Sequence, residues 1–111
     1  MIHIYKIEGH SLAEVKKIVE APETMVEGKF RINEFTRTGF NLRDSNSLGL
    51  PGNFYYLYIK ADEDFFKRNE KSIMIKGVTK LSGKEYEEVK KKIEDELSGA
   101  ESGLGSVFEG F

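Results

Sequence analysis

The chain contains no cysteine, which excludes disulfides and cysteine-ligated metal sites. Its only histidines are His3 and His10, with no HExxH-type spacing, so no metal ligand set can be assigned. There is no GxxxxGK[ST] and no GxGxxG, and hence no motif for a nucleotide cofactor. No cofactor is expected. No apolar run approaches the ~20 residues that span a bilayer. The first residues, Met1-Ile2-His3-Ile4-Tyr5-Lys6-Ile7, alternate like a strand and lack the apolar block of a signal peptide. An excess of one charge is also missing. Seventeen basic residues stand against 19 acidic ones, a net charge of -2, which disfavours nucleic acid and anionic membrane as partners of the chain as a whole. The expectation is a soluble cytoplasmic protein with no membrane partner.

What is present is enough for one core. A chain of 111 residues fits a single domain, and such a chain buries roughly two-thirds of its unfolded surface. The most aromatic run is Phe54-Tyr55-Tyr56-Leu57-Tyr58-Ile59-Lys60. Strand alternation puts Phe54, Tyr56, Tyr58 and Lys60 on one face and Tyr55, Leu57 and Ile59 on the other. Both faces are apolar or amphipathic, the pattern of a central strand with something against each side.

Around it, residues 2 to 7 read as a first strand. Ser11 opens a helix with Glu14 at capping-box spacing, and Pro22 stops it. Met25 and Val26 lie in a connection and are placed to tuck under the sheet. Lys29 to Thr36 alternates as a strand, with Arg31 and Asn33 on the same side. Phe40 to Arg43 is a short strand, and Asp44 to Asn53 a polar loop that ends in a Pro51-Gly52 type II turn. Asp62 to Lys71 fits a short helical turn, and Ser72 to Val78 the last strand. Ser82 and Glu85 have capping-box spacing, Leu81 and Tyr86 that of a hydrophobic staple, and Tyr86, Val89, Ile93 and Leu97 form an apolar stripe. Gly99 is expected to end that helix, leaving residues 99–111 as a flexible tail to a domain of residues 1–98.

The expected fold is α+β, a two-layer sandwich of order β-α-β-β-β-β-α with an antiparallel sheet and both helices on one face. From Phe54 through Leu97, with the strand Ile73 to Val78 and the capped helix after it, the chain resembles one half-repeat of a TATA-box-binding protein. The first strand and the helix at Ser11 fit the opening of the same half-repeat. The chain is also similar to small archaeal proteins of that general fold. The resemblance implies a single half that a dimer would complete into a continuous saddle. One fold hosts many functions, so fold likeness carries little functional weight.

With both helices on one face, the other face is free. Tyr56, Tyr58 and Lys60 would point out from it, joined by Met74 and Lys76 on the last strand and by Arg31. Aromatics interleaved with Lys and Arg can stack on bases or hold phosphates, whereas strand tyrosines more often just pack across a sheet. No catalytic constellation is visible. Ser11 and Ser82 read as caps, Asp62-Glu63-Asp64 as a solvated turn, and Asp44 to Gly49 lacks the bidentate Glu of a calcium loop. The expected function is a non-catalytic binding module using the open sheet face, with a protein partner or a homodimer favoured over nucleic acid. The alternative is a small-molecule carrier or enzyme with a pocket between helix and sheet, to which Tyr5, Tyr55 and Tyr86 would bring hydroxyls.

Overall fold

A computed structural model describes residues 1–109, with side chains for all of these but Val26, Arg31 and residues 99–109. In chain order the elements are β1 (Ile2–Glu8), a 3-10 turn (Gly9–Ser11), α1 (Leu12–Val19), β2 (Thr24–Val26), β3 (Lys29–Arg31), α2 (Glu34–Thr38), β4 (Asn41–Asp44), β5 (Phe54–Lys60), α3 (Glu63–Ile73), β6 (Val78–Lys80) and α4 (Gly83–Glu109). The main sheet has the order β4-β5-β1-β6, and every neighbouring pair is antiparallel. β2 and β3 form a separate two-stranded hairpin. The protein is therefore α+β with an antiparallel sheet, as expected. No helix among the described residues is long and apolar enough to cross a membrane.

β1 and β5 are the spine. They pair from Ile2 against Lys60 to Glu8 against Phe54, and alternation sends their side chains to two cores. On one face Tyr5, Ile7, Leu57 and Ile59 pack with Val15 and Val19 of α1 and with Phe65, Phe66 and Ile73 of α3. On the other face Ile4, Tyr56 and Tyr58 pack with Val89 and Ile93 of α4, with Leu81, and with Leu48 from the loop before β5. The apolar stripe expected on the last helix is there, but the helix lies on the opposite side from α1. The expectation that both helices share one face is thus corrected. An apolar stripe fixes which side of a helix is buried and says nothing about which side of the sheet it is buried against.

Three local differences follow from caps. Asp62 accepts a hydrogen bond from the Phe65 amide (2.9 Å), so residues 63–73 form a full helix rather than a short turn. That helix takes Ser72 and Ile73 with it, residues 74–77 form a turn, and the expected strand Ser72 to Val78 gives way to β6, which shares only Val78 with it. Asn33 caps α2, which cuts the expected strand at Lys29 to Thr36 down to β3. Ser11 makes no side-chain cap. Its hydroxyl donates instead to the Lys76 carbonyl (2.7 Å), tying α1 to the turn before β6. Gly77 lies at φ +90°, and a Cβ there would come within 2.2 Å of Ser11 Oγ, so that turn requires glycine. Gly52 lies at φ +91°, as the Pro51-Gly52 turn demands. α4 continues past Gly99 to Glu109. The docking or flexibility of the tail concerns side chains outside the described residues.

Candidate functional site

The six residues expected to form a binding face do not come together. Tyr56 and Tyr58 are only 3% and 7% exposed, beneath α4. The Tyr58 hydroxyl donates to Glu94 of that helix (2.8 Å), and burial with this carboxylate pushes its pKa up to about 12. Lys60 is exposed at the end of β5. Met74 caps the C-terminus of α3 and Lys76 lies in the turn that follows, neither on a strand. Arg31 belongs to the hairpin, and its side chain is outside the described set. Asn33, expected beside Arg31 on the open face, is a buried cap. The open sheet face therefore does not exist. α4 occupies it, and Arg43 of β4 donating to Glu96 (2.6 Å) closes its far edge.

Of the tyrosines expected to furnish a pocket, Tyr5 and Tyr86 are engaged elsewhere, and Tyr55 lines an open groove with Leu12, Lys16 and Leu42. The Tyr86 hydroxyl donates to the Ile2 carbonyl (2.9 Å). Tyr5 belongs to a quartet with His3, Glu70 and Lys80. Its hydroxyl donates to Glu70 Oε2 (2.6 Å), His3 Nδ1 lies 3.0 Å from the same oxygen, and Lys80 Nζ 3.3 Å. A carboxylate only accepts, so Nδ1 carries the proton and Nε2 is the basic nitrogen. The imidazole stacks on Phe66, with ring centroids 3.7 Å apart. Burial lowers the His3 pKa against the opposing pull of Glu70, and raises that of Tyr5. Burial also works against the Glu70 carboxylate, but the hydrogen bonds from Tyr5, His3 and Lys80 outweigh it and its pKa falls. A histidine oriented by a carboxylate can act as a base. Here neither the cleft under α4 nor the one beside α2 is lined by any member of the quartet. It ties β1 and β6 to α3. His10, by contrast, pairs with Glu8 (3.2 Å) at the surface, so the two histidines do not meet.

The exposed apolar surface lies on the hairpin. Met25 and Phe30 are directly opposite each other across β2 and β3. They are 63% and 55% exposed, and Ile32, two residues beyond Phe30, is 52% exposed. Directly paired residues share a face, and so do residues two apart along a strand. Met25 and Phe30 thus form one patch, while Ile32 lies past the end of β3 and lines the cleft beside α2 with Glu34 and Phe35. Met25 does not tuck under the sheet as expected.

The hairpin turn is Glu27-Gly28, with φ of +52° and +76°. Positive φ at both central residues is the type I′ signature, whose twist matches two tightly linked strands. The base of the hairpin is clamped. Asn33 Nδ2 donates to the Val19 and Ala21 carbonyls (3.0 and 2.7 Å), while its Oδ1 accepts from the Phe35 and Thr36 amides (2.9 and 3.2 Å). The Asn33 amide donates to Glu23 Oε2 (2.8 Å), and Arg37 grips both oxygens of Glu23 (2.6 and 3.1 Å). Hydrogen bonds from Arg37 and Asn33 hold the Glu23 carboxyl below the usual carboxylate range. Glu23 precedes β2 and Asn33 follows β3, so this network joins the two ends of the hairpin and fixes them to the end of α1.

Sequence reasoning missed this patch because Phe30 and Ile32 alternate with polar residues as they would on any half-buried strand. The available signal was shortness. Two three-residue strands around Glu-Gly have no apolar partner nearby in sequence to cover them. Searches of protein-family models, curated protein sequences and solved structures find no match to this chain.

Proposed function

We propose that the protein is a non-catalytic binding module that docks another protein chain through the β2–β3 hairpin. The observation that carries this reading is the joint exposure of Met25 and Phe30 on one face of a hairpin whose base is clamped. Large apolar side chains held in water by a rigid base favour a partner that covers them, and Met and Phe are enriched at such interfaces. Preorganisation by Asn33 and Glu23 lowers the ordering cost of docking. A nucleic-acid reading loses its support with Tyr56 and Tyr58 under α4. A saddle-shaped dimer built on the half-repeat resemblance would need that same covered face.

Sedimentation velocity establishes first whether the partner is a second copy. A photoreactive residue placed at Met25, in the full chain mixed with extract of its own cells, should then give one dominant adduct that Phe30→Ser in the same chain abolishes. The same group at Lys67, exposed on α3, should give none. Equal adducts at both positions, or an adduct indifferent to Phe30→Ser, would overturn the proposal.

A further inference from the structure

Where the start of α4 crosses the sheet, helix and strand part to leave an open-mouthed cleft of about 310 Å³. That lies at the lower end of the range of small-molecule sites. Its walls are apolar at Leu50, Phe54 and Val89, and its charged groups are Lys6, Glu85 and Glu88. Tyr56 lines it and is 3% exposed. The hydroxyls of Tyr5, Tyr58 and Tyr86 each hold a protein acceptor, whereas that of Tyr56 has none among the described residues. No described side-chain oxygen or nitrogen is both sealed off and unpartnered, so this hydroxyl opens onto the cleft. The charges it feels are those of Lys6, Glu85 and Glu88, the same three groups that line the cleft. A hydroxyl that opens onto a cleft and holds no protein partner is free to bond to a ligand that enters.

The charge of the lining selects what enters. Lys6 Nζ donates to Glu85 Oε2 (2.9 Å) and sits 4.1 Å above the centre of the Phe54 ring. It is held from two sides and neutralises Glu85. Glu88 is the excess charge. An anion would have to draw Lys6 away from both contacts and then face Glu88. A cation meets Glu88 directly, with the Tyr56 oxygen as a second acceptor. We propose that this cleft binds a compact organic amine, its ammonium held by Glu88 and the Tyr56 hydroxyl and its carbon body lying on Leu50, Phe54 and Val89. The proposal is independent of the hairpin.

The test is a two-dimensional NMR titration of the full chain with three probes of matched size: cyclohexylmethylamine, cyclohexanecarboxylate and cyclohexylmethanol. The amine should give saturable shifts confined to the amides of residues 50–56 and 85–89, and should bind about two- to fivefold more tightly than the carboxylate, the size of one exposed ion pair. Glu88 is exposed, so Glu88→Gln leaves the fold in place and should reduce the amine to the affinity of the alcohol. Tyr56→Phe removes only a hydroxyl without a protein partner and should also weaken the amine. Amine and carboxylate titrating alike, shifts outside the cleft, or Glu88→Gln and Tyr56→Phe both without effect would overturn the assignment.

Discussion

β1–β5 and β2–β3 are both antiparallel ladders carrying apolar side chains, and they meet opposite ends. The long ladder is covered on both faces, by α1 and α3 on one side and by α4 on the other. The short one presents Met25 and Phe30 to water. Composition ranks them the wrong way round for exposure. The aromatic run Phe54 to Lys60 has the residues of a binding platform, and its centre, Tyr56 to Ile59, is buried. Whether a strand is a platform depends on what lies over it, and that is decided by elements far away in sequence, here by α4. The hairpin is left uncovered because its base is fixed to the end of α1 while no described helix crosses it.

The largest test of this contrast is a pair of aromatic truncations. Tyr58→Ala removes a ring between sheet and α4 and should cost about 3–5 kcal/mol. Phe30→Ala loses only a solvent-exposed cross-strand contact and should cost less than about 1 kcal/mol. Urea unfolding of the two variants measures the difference. Similar losses would mean that the hairpin is part of the core after all.

A narrower test detaches the short ladder from its base. Asn33→Ala removes a helix cap together with bonds to two carbonyls of the α1 end, and should cost about 2–3 kcal/mol. Hydrogen exchange should quicken at residues 24–31 well before it does in β1 and β5. Uniform quickening across the chain would show that Asn33 supports the whole domain rather than the pose of the hairpin.

The residues made part of this architecture readable. The two-sided character of Phe54 to Lys60 pointed to a central strand, and β5 is one. Leu81 and Tyr86 belong to one apolar cluster, and the stripe Tyr86, Val89, Ile93 and Leu97 packs into it with Ile4, Tyr56 and Tyr58 of the sheet. Elsewhere two periods competed. Ile73, Met74 and Ile75 alternate like a strand, yet Ile73 is also seven and eight residues from Phe66 and Phe65, which is helical spacing. The Asp62 cap decides for the helix. Asn33 keeps strand parity with Arg31, but a buried amide side chain that satisfies two carbonyls and two amides is worth more as a cap than as a strand residue. The face chosen by α4 had no signature, since the turn after β6 can deliver a helix to either side of the sheet. The same gap hid the candidate surfaces. Tyr56 was visible as a candidate, but its open hydroxyl belongs to a cleft that only the placement of α4 creates.

Mild acid sharpens the comparison with the smallest expected effect, because above the carboxylate range it acts on His3 in the covered ladder and leaves the Glu23 clamp of the hairpin charged. His3 of β1 faces Glu70 of α3, Lys80 of β6, Tyr5 of its own strand and the chain's ammonium at Met1. Its pKa in the fold lies below the ordinary 6.5, chiefly through burial, so the unfolded chain binds that proton more readily. Stability from this group is present above 6.5 and is lost as pH falls toward the folded value. Glu70 has the same sign at lower pH, since its folded pKa lies below 4.5 and its contribution disappears as pH falls through that folded value. One proton sets an upper bound of about 1.4 kcal/mol per pH unit on the His3 slope. Urea midpoints of the wild type should therefore drop as pH falls below about 6.5, and His3→Asn should remove that part of the drop while keeping the loss at lower pH. A wild type and a His3→Asn variant with parallel profiles would show that the quartet holds its charges no differently in the fold than in the unfolded chain.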